Sequence, residues 1–268
     1  MEIKIVFSDI DGTFLTNNHS VSKKTEFAVK TLLKKNIKFV LVSARMPEAI
    51  YPITDSINLP KIPVISYSGA LVLTENEKIL HDKRISAEDA QKVLAEISRR
   101  WSDITINYYA GRKWFVEKID DRVKREMKIT SATAEFANFS ELLEKNILPN
   151  KILIMCEPEI CEEMERELGK NFSGLNVVRS SKILLEIMDK NISKDVGIKI
   201  LLEHYGLSVE NSVGFGDNFN DVEMLKFVGC GVAMGNAPEA VKKFADEITT
   251  SNEDDGIYNF LAKKNLMP

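Results

Sequence analysis

Cysteine is scarce in this chain of 268 residues: Cys156, Cys161 and Cys230 are all it has, and no two of them form a C-x-x-C pair. So low and odd a count argues against a disulfide scaffold or a thiolate zinc site and implies reduced thiols in a cytosolic protein. Histidine is equally rare, and His19, His81 and His204 share no metal-ligand spacing. No apolar run approaches the about 18 residues of a membrane-spanning helix. The N-terminal MEIKIVFSD passes directly into a strand pattern, so no secretory leader is expected. A dominant charge is also lacking. With 36 basic and 40 acidic residues the net charge is −4, which argues against a nucleic-acid footprint and suggests no membrane surface. The basic run Arg122, Lys124, Arg125 and Lys128 is interleaved with Asp120, Asp121 and Glu126 and reads as a solvated helix face. No GxxxxGK[ST] phosphate loop occurs, and the Gly214–Gly216 pair lacks the third glycine of a dinucleotide fingerprint, Phe219 standing there instead.

What is present is acidic and sits at strand ends. The apolar run Ile3, Ile5, Val6, Phe7 predicts a buried parallel strand, and Asp9 and Asp11 follow it, closed off by Gly12 and Thr13. Open α/β sheets place their sites at the carboxyl ends of strands. Two neighbouring carboxylates repel and invite a divalent cation, a proton or both. A calcium EF-hand loop starting at Asp9 is excluded, because it would need Gly at 14 and Glu at 20 where the chain has Phe14 and Ser20. Near the other terminus, the strand Val213 to Phe215 ends in Gly216, Asp217, Asn220 and Asp221, a second acidic strand end.

The rest of the chain divides into two patterns. Strands near 3–8, 38–42 and 63–67 alternate with helices near 22–35 and 47–56. In the last third, Ser193 is placed to cap a helix over 194–205 that Gly206 ends. A strand at 212–216, the strand CGVAM, a helix opening at Pro238, the strand EITT and a final helix follow. This is βαβ alternation, an α/β class with a parallel sheet. The middle differs. Ser86 to Asp89 reads as a capping box for a helix to about Arg100. TINYYAGRKWFVEK reads as a hairpin turning at Ala110 and Gly111, and NVVRSSKILLEIM as another turning near Ser180 and Ser181. An α+β module is therefore expected at 82–188, within a parallel-sheet domain of 1–81 and 189–268.

The motifs together resemble the haloacid dehalogenase-like phosphatase superfamily. Asp9, Asp11, Gly12 and Thr13 match its DxDGT motif; Ser43 matches the Ser or Thr ending the second core strand. Lys194 matches the lysine at a helix start, and Gly216, Asp217, Asn220 and Asp221 match GDxxND. The trailing CGVAMGNA looks like the Cof-type branch, subfamily IIB, whose core is Rossmann-like and carries a large α/β cap of the C2 kind. The resemblance implies a Mg²⁺-dependent phosphatase acting on small phosphorylated metabolites, sugar phosphates first among them. It makes Asp9 the nucleophile and Asp11 the general acid and base. Mg²⁺ would be bound by Asp9, the Asp11 carbonyl and Asp217, with Asp221 acting through water or behind the ligands. Ser43, the Ala44 N–H, Lys194 and Asn220 would bind the phosphoryl group, with Asn220 bonding to Lys194 or the phosphate. A monomer or weak homo-oligomer is expected. The cap aromatics Tyr108, Tyr109, Trp114 and Phe115 are expected to be mostly core, with Arg112 beside them. Three departures stand out: Ser68 where the pattern has Asn, and Ala44 and Asp195 where it has Gly. A phosphomutase or phosphotransferase, or a non-catalytic phosphometabolite-binding protein, are the alternatives.

Overall fold

The structure is a computed structural model that describes residues 2–268. The chain begins with the strand β1 (Ile5–Ser8), helix α1 (Lys23–Lys34), strand β2 (Lys38–Val42) and helix α2 (Pro47–Ser56). Three short strands follow, β3 (Val64–Ser66), β4 (Leu71–Leu73) and β5 (Ile79–Asp82). The middle contains α3 (Ala87–Arg100), β6 (Thr105–Ala110), β7 (Lys113–Val116), α4 (Asp121–Thr130), β8 (Ala134–Phe136), α5 (Phe139–Glu144), β9 (Lys151–Met155), α6 (Pro158–Asn171), β10 (Leu175–Ser181) and β11 (Leu184–Asp189). The chain closes with α7 (Lys194–Tyr205), β12 (Ser212–Gly216), α8 (Val222–Phe227), β13 (Cys230–Ala233), α9 (Glu239–Lys242), β14 (Glu247–Ile248) and α10 (Gly256–Lys263).

Two compact units result. The residues up to Arg45, Ile50–His81 and Ser193–Pro268 form one; Met46–Ala49 and Asp82–Ile192 form the other.

The first unit is built on a sheet in the order β14-β13-β12-β1-β2-β3-β4-β5. From β14 to β3 every pairing is parallel, and the β1 and β12 runs carry no exposed residue, as expected of strands covered on both faces. The expected all-parallel sheet needs one correction: β4 pairs antiparallel with β3. The link between them is a single tight turn over Tyr67–Gly69, and so short a link can only fold a strand back on its neighbour. The strands β4 and β5 escaped sequence reading because three or four residues are too few to show a period. Helix α7 lays Ile198, Leu201 and Leu202 on the sheet against Ile5, Phe7, Val40, Val42 and Ile65. That packing brings the first residue of α7, Lys194, to the sheet. Ser193 occupies the N-cap position with extended backbone, but its hydroxyl makes no capping bond.

The second unit is a six-stranded sheet in the order β10-β11-β9-β6-β7-β8, antiparallel except for β7 with β8. One face packs Tyr108, Ile152, Ile154, Leu185 and Ile187 against Val93 and Ile97 of α3 and Met164 and Leu168 of α6. Tyr108, Tyr109, Trp114 and Phe115 are all buried, whereas Arg112 is exposed. Both hairpin turns lie later than the sequence suggests. The first is the pair Gly111-Arg112, because Ala110 still pairs with Lys113. The second is Lys182-Ile183, since a bulge between Arg179 and Ser181 carries the strand past the serines. Ser86 does cap α3 through the Asp89 N–H at 3.0 Å, and its own hydroxyl donates to the Asp89 carboxylate at 2.7 Å. All three cysteines are buried and unpaired.

The turn between β3 and β4 is left-handed for three consecutive residues, with φ of 50° at Tyr67, 53° at Ser68 and 113° at Gly69. A Cβ on Gly69 would stand 2.3 Å from the Ser193 carbonyl oxygen. Gly69→Ala should therefore lower the unfolding free energy by about 1–3 kcal/mol for forced φ plus the clash, read as a lower denaturant midpoint, and the displaced start of α7 should reduce turnover as well.

Candidate active site

The register of the first sheet brings four segments together. Ser8 pairs with Phe215 on one side and Leu41 on the other, so the carboxyl ends of β12, β1 and β2 lie side by side. Past those ends come Asp217, then Asp9 and Asp11, then Ser43. The junction is tied by the Asp9 N–H donating to the Phe215 carbonyl at 2.9 Å. The fourth segment is the start of α7.

Lys194 is the hub. Its side chain is fully buried, and Nζ donates to Asp9 Oδ1 and Asp221 Oδ1 at 2.5 Å each. Asp221 Oδ2 accepts from the backbone N–H groups of Asp217 and Asn218 at 2.9 Å each. With Asn218 Oδ1 accepting from the Phe219 N–H, this forms a capping box that holds the GDNFND turn. Asp217 is positioned differently. The Thr13 hydroxyl donates to its Oδ1 at 2.7 Å, and Asn236 Nδ2 lies 3.4 Å from its Oδ2 while donating to the Gly12 carbonyl at 2.8 Å. Gly12 is required here, with φ of 81°. A Cβ would stand 2.4 Å from Asp217 Oδ2.

Three carboxylates, Asp9, Asp217 and Asp221, each place an oxygen within 4.8 Å of the others. One ammonium faces them. The cluster therefore has a formal charge of −2, which one divalent cation would neutralise, and an all-oxygen donor set suits Mg²⁺ or Mn²⁺ rather than zinc. The electrostatics agree with an excess of negative charge. Burial, then the nearby Asp221, pushes the Asp9 carboxyl up despite Lys194. Burial and Asp221 raise Asp217 to about 6, although the Thr13 hydroxyl opposes the shift. Burial pulls Lys194 down, but Asp221 and Asp9 more than offset it and hold the ammonium above its ordinary value.

The other expected site residues are distributed as follows. The Asp11 carboxylate stands outside the carboxylate cluster, gripped by Arg45, with Nε 2.9 Å from Oδ2 and Nη2 2.6 Å from Oδ1. Ser43 is buried, and its Oγ accepts from the Arg45 N–H at 3.2 Å, which leaves its O–H free to donate. Ala44 lies between them in the chain. Asn220 is exposed, and of its two expected partners it does not reach Lys194, whose ammonium bonds to Asp9 and Asp221. Arg45, Asn218 and Asn236 were not assigned from sequence. The SAR and GNA runs contain two of them, but nothing in the spacing says which carboxylate or carbonyl each would reach.

The raised Asp217 has a consequence for stability. A carboxyl whose folded pKa lies above its unfolded value binds its proton more tightly when folded, so stability falls as pH rises from about 4 through about 6. In metal-free protein, Asp217→Asn should raise the melting temperature by a few degrees at pH 7.5, and the gain should shrink toward zero at pH 4. Thermal unfolding at the two pH values, in chelator, measures this.

The comparisons fit this geometry. The family model for haloacid dehalogenase-like hydrolases matches residues 6–261. A candidate phosphatase of Haemophilus influenzae is 33% identical over 98% of this chain and 99% of its own. The solved structure of a haloacid dehalogenase-like hydrolase from Bacteroides thetaiotaomicron superimposes with a TM-score of 0.87 at 28% identity, covering 98% of this chain and all of that one. A solved sugar phosphatase of subclass IIB superimposes at 0.84 with 23% identity, over 98% of this chain and 100% of its own. With the motif residues gathered at one end of such a sheet, the chain belongs to the haloacid dehalogenase-like hydrolases and is an enzyme of the phosphatase kind.

Proposed function

We propose that the protein is a Mg²⁺-dependent phosphatase that hydrolyses small phosphorylated metabolites, sugar phosphates foremost, through an aspartyl-phosphate on Asp9. The observation that carries this reading is the largely buried cluster of three carboxylates and one ammonium, short of two positive charges, beside the buried hydroxyl of Ser43. Asp9, Asp217 and the Asp11 carbonyl would hold Mg²⁺, which when bound neutralises charge on the phosphoryl oxygens.

The chain's own groups account for the remainder. Lys194 fixes Asp9 through Oδ1, which leaves Oδ2 as the attacking oxygen. Ser43 offers its O–H to a phosphoryl oxygen, with the Ala44 N–H beside it. Asp11 gives a proton to the leaving oxygen and then takes one from the water that cleaves the acyl phosphate. Asp221 acts on Lys194 and on the turn that carries Asp217, behind the reacting atoms. In this reading residues 1–81 and 189–268 are the catalytic core and 82–188 a cap that selects the leaving group. The choice of sugar phosphates draws on the subclass IIB sugar phosphatase that shares the fold. No described helix is long and apolar enough to cross a membrane.

Phosphate release from a panel of phosphorylated metabolites, in Mg²⁺ and in chelator, tests the reading. Turnover that requires Mg²⁺ and favours sugar phosphates is expected. Isomeric phosphosugar without free phosphate would identify a mutase instead, and binding without turnover a regulatory protein. Asp9→Asn should abolish turnover, by at least about 10⁴-fold for a lost nucleophile, while leaving the fold intact by circular dichroism. A variant with wild-type rate would remove Asp9 from the mechanism.

A further inference from the structure

Asp11 is the least enclosed acid of the site, yet both of its oxygens are engaged. Arg45 Nε and Nη2 reach Oδ2 and Oδ1 at 2.9 and 2.6 Å, a two-armed fork that fixes a carboxylate in one plane. The Asp11 side chain is 49% exposed and that of Arg45 only 18% exposed, so the arginine is the more enclosed partner of the two. The arginine is anchored through its backbone. The Arg45 N–H donates to Ser43 Oγ, and the Arg45 carbonyl accepts from the Tyr67 N–H at 3.2 Å, in the left-handed turn before β4. His19 Nδ1, 4.0 Å from Asp11 Oδ1, is a further neighbour, itself largely exposed. Without its arginine, an aspartate this exposed would sample several rotamers.

We propose that Arg45 is the positioning residue for Asp11, holding the acid at the rim of the carboxylate cluster so that one oxygen can be exchanged from guanidinium to leaving group while the other arm stays as a pivot. The proposal rests on the phosphatase reading above. In the step concerned, the Asp9–phosphorus bond forms as the bond from phosphorus to the leaving oxygen breaks. Once one arm of the fork is released, that oxygen of Asp11, on a half-exposed side chain, takes up a proton from solvent; the proton passes to the leaving oxygen, and Asp11 is again the carboxylate that accepts a proton from water when the acyl phosphate is cleaved. Arg45 touches none of the reacting atoms in this scheme and acts only through Asp11.

The test uses two esters that differ in their need for a proton: p-nitrophenyl phosphate, whose leaving group departs unaided, and glucose 6-phosphate, whose alkoxide does not. Arg45→Ala should lower kcat for the sugar phosphate by about 100-fold, the low end of what a positioned acid contributes, and for p-nitrophenyl phosphate by less than about 3-fold. Arg45→Lys, which keeps the charge but not the fork, should recover part of the loss. In an Asp11→Asn background, Arg45→Ala should have no further effect on either ester, because its only route to the chemistry is gone. Equal losses for the two esters, a raised KM at unchanged kcat, or a full additional loss in the Asp11→Asn background would each overturn the proposal and make Arg45 a phosphate-binding or structural residue. Melting temperatures identify a variant that fails to fold, in which case Arg45→Lys and Arg45→Gln decide by the same ratio. A wild-type protein inactive on both esters would defeat the phosphatase reading itself, and the proposal with it, an outcome distinct from any pattern among the variants.

Discussion

The ammonium of Lys194, buried between Asp9 and Asp221, is the contact on which the rest of the site depends. It ties the end of β1, the turn after β12 and the first turn of α7 into one network, across sequence separations of 185 and 27 residues. A lysine with no exposure is tolerable only because two carboxylates face it. Removing Lys194 would leave two buried carboxylates without a counter-charge, a loss of order 3–5 kcal/mol for such networks, whereas removing one carboxylate leaves the ammonium paired with the other. The pair is therefore better understood as a device of geometry than of net stability. It keeps Oδ1 of Asp9 occupied and leaves Oδ2 outside the ammonium's grip.

Around that hub the charge is deliberately unbalanced. Asp217 adds a third carboxylate with no second cation, held by a hydroxyl and an asparagine amide rather than by a lysine. Burial and mutual repulsion raise Asp9 and Asp217, so the metal-free site is destabilised as pH rises through the range where they ionise. A divalent cation would remove that strain, which couples cation binding to folding stability.

The backbone is correspondingly tight. Gly12 leaves no room for a Cβ against Asp217, and Gly69 none against the residue before Lys194. Between them, Tyr67 and Ser68 hold left-handed backbone while their N–H groups bond to the carbonyls of Arg45 and Ser43. Strained conformations of this kind persist only where surrounding contacts enforce them. Ser68 is poorly suited to positive φ compared with asparagine, so the departure at this position costs local stability where the turn between β3 and β4 is anchored.

Much of this could be read from residues in order. An apolar run ending in DxDG and another ending in GDxxND state the fold class and point to Asp9, Asp11, Asp217 and Asp221, because strand ends in a parallel sheet share one edge whatever the loops do; Lys194 is named only by the family resemblance. Contacts that depend on side-chain direction were not legible. Asp11 turns to Arg45 and Asn220 turns to solvent. Asn236 closes on Gly12 from 224 residues away. Neither periodicity nor spacing records a rotamer. The short strands β4, β5 and β8 and the late hairpin turns were equally hidden, since three residues make no pattern and a bulge shifts register without changing composition. Local sequence thus specified which groups arrive at the sheet edge. Packing of the whole chain decided which of them touch, because hydrogen-bond partners are chosen by distance in space and the chain brings them together only once its core is formed.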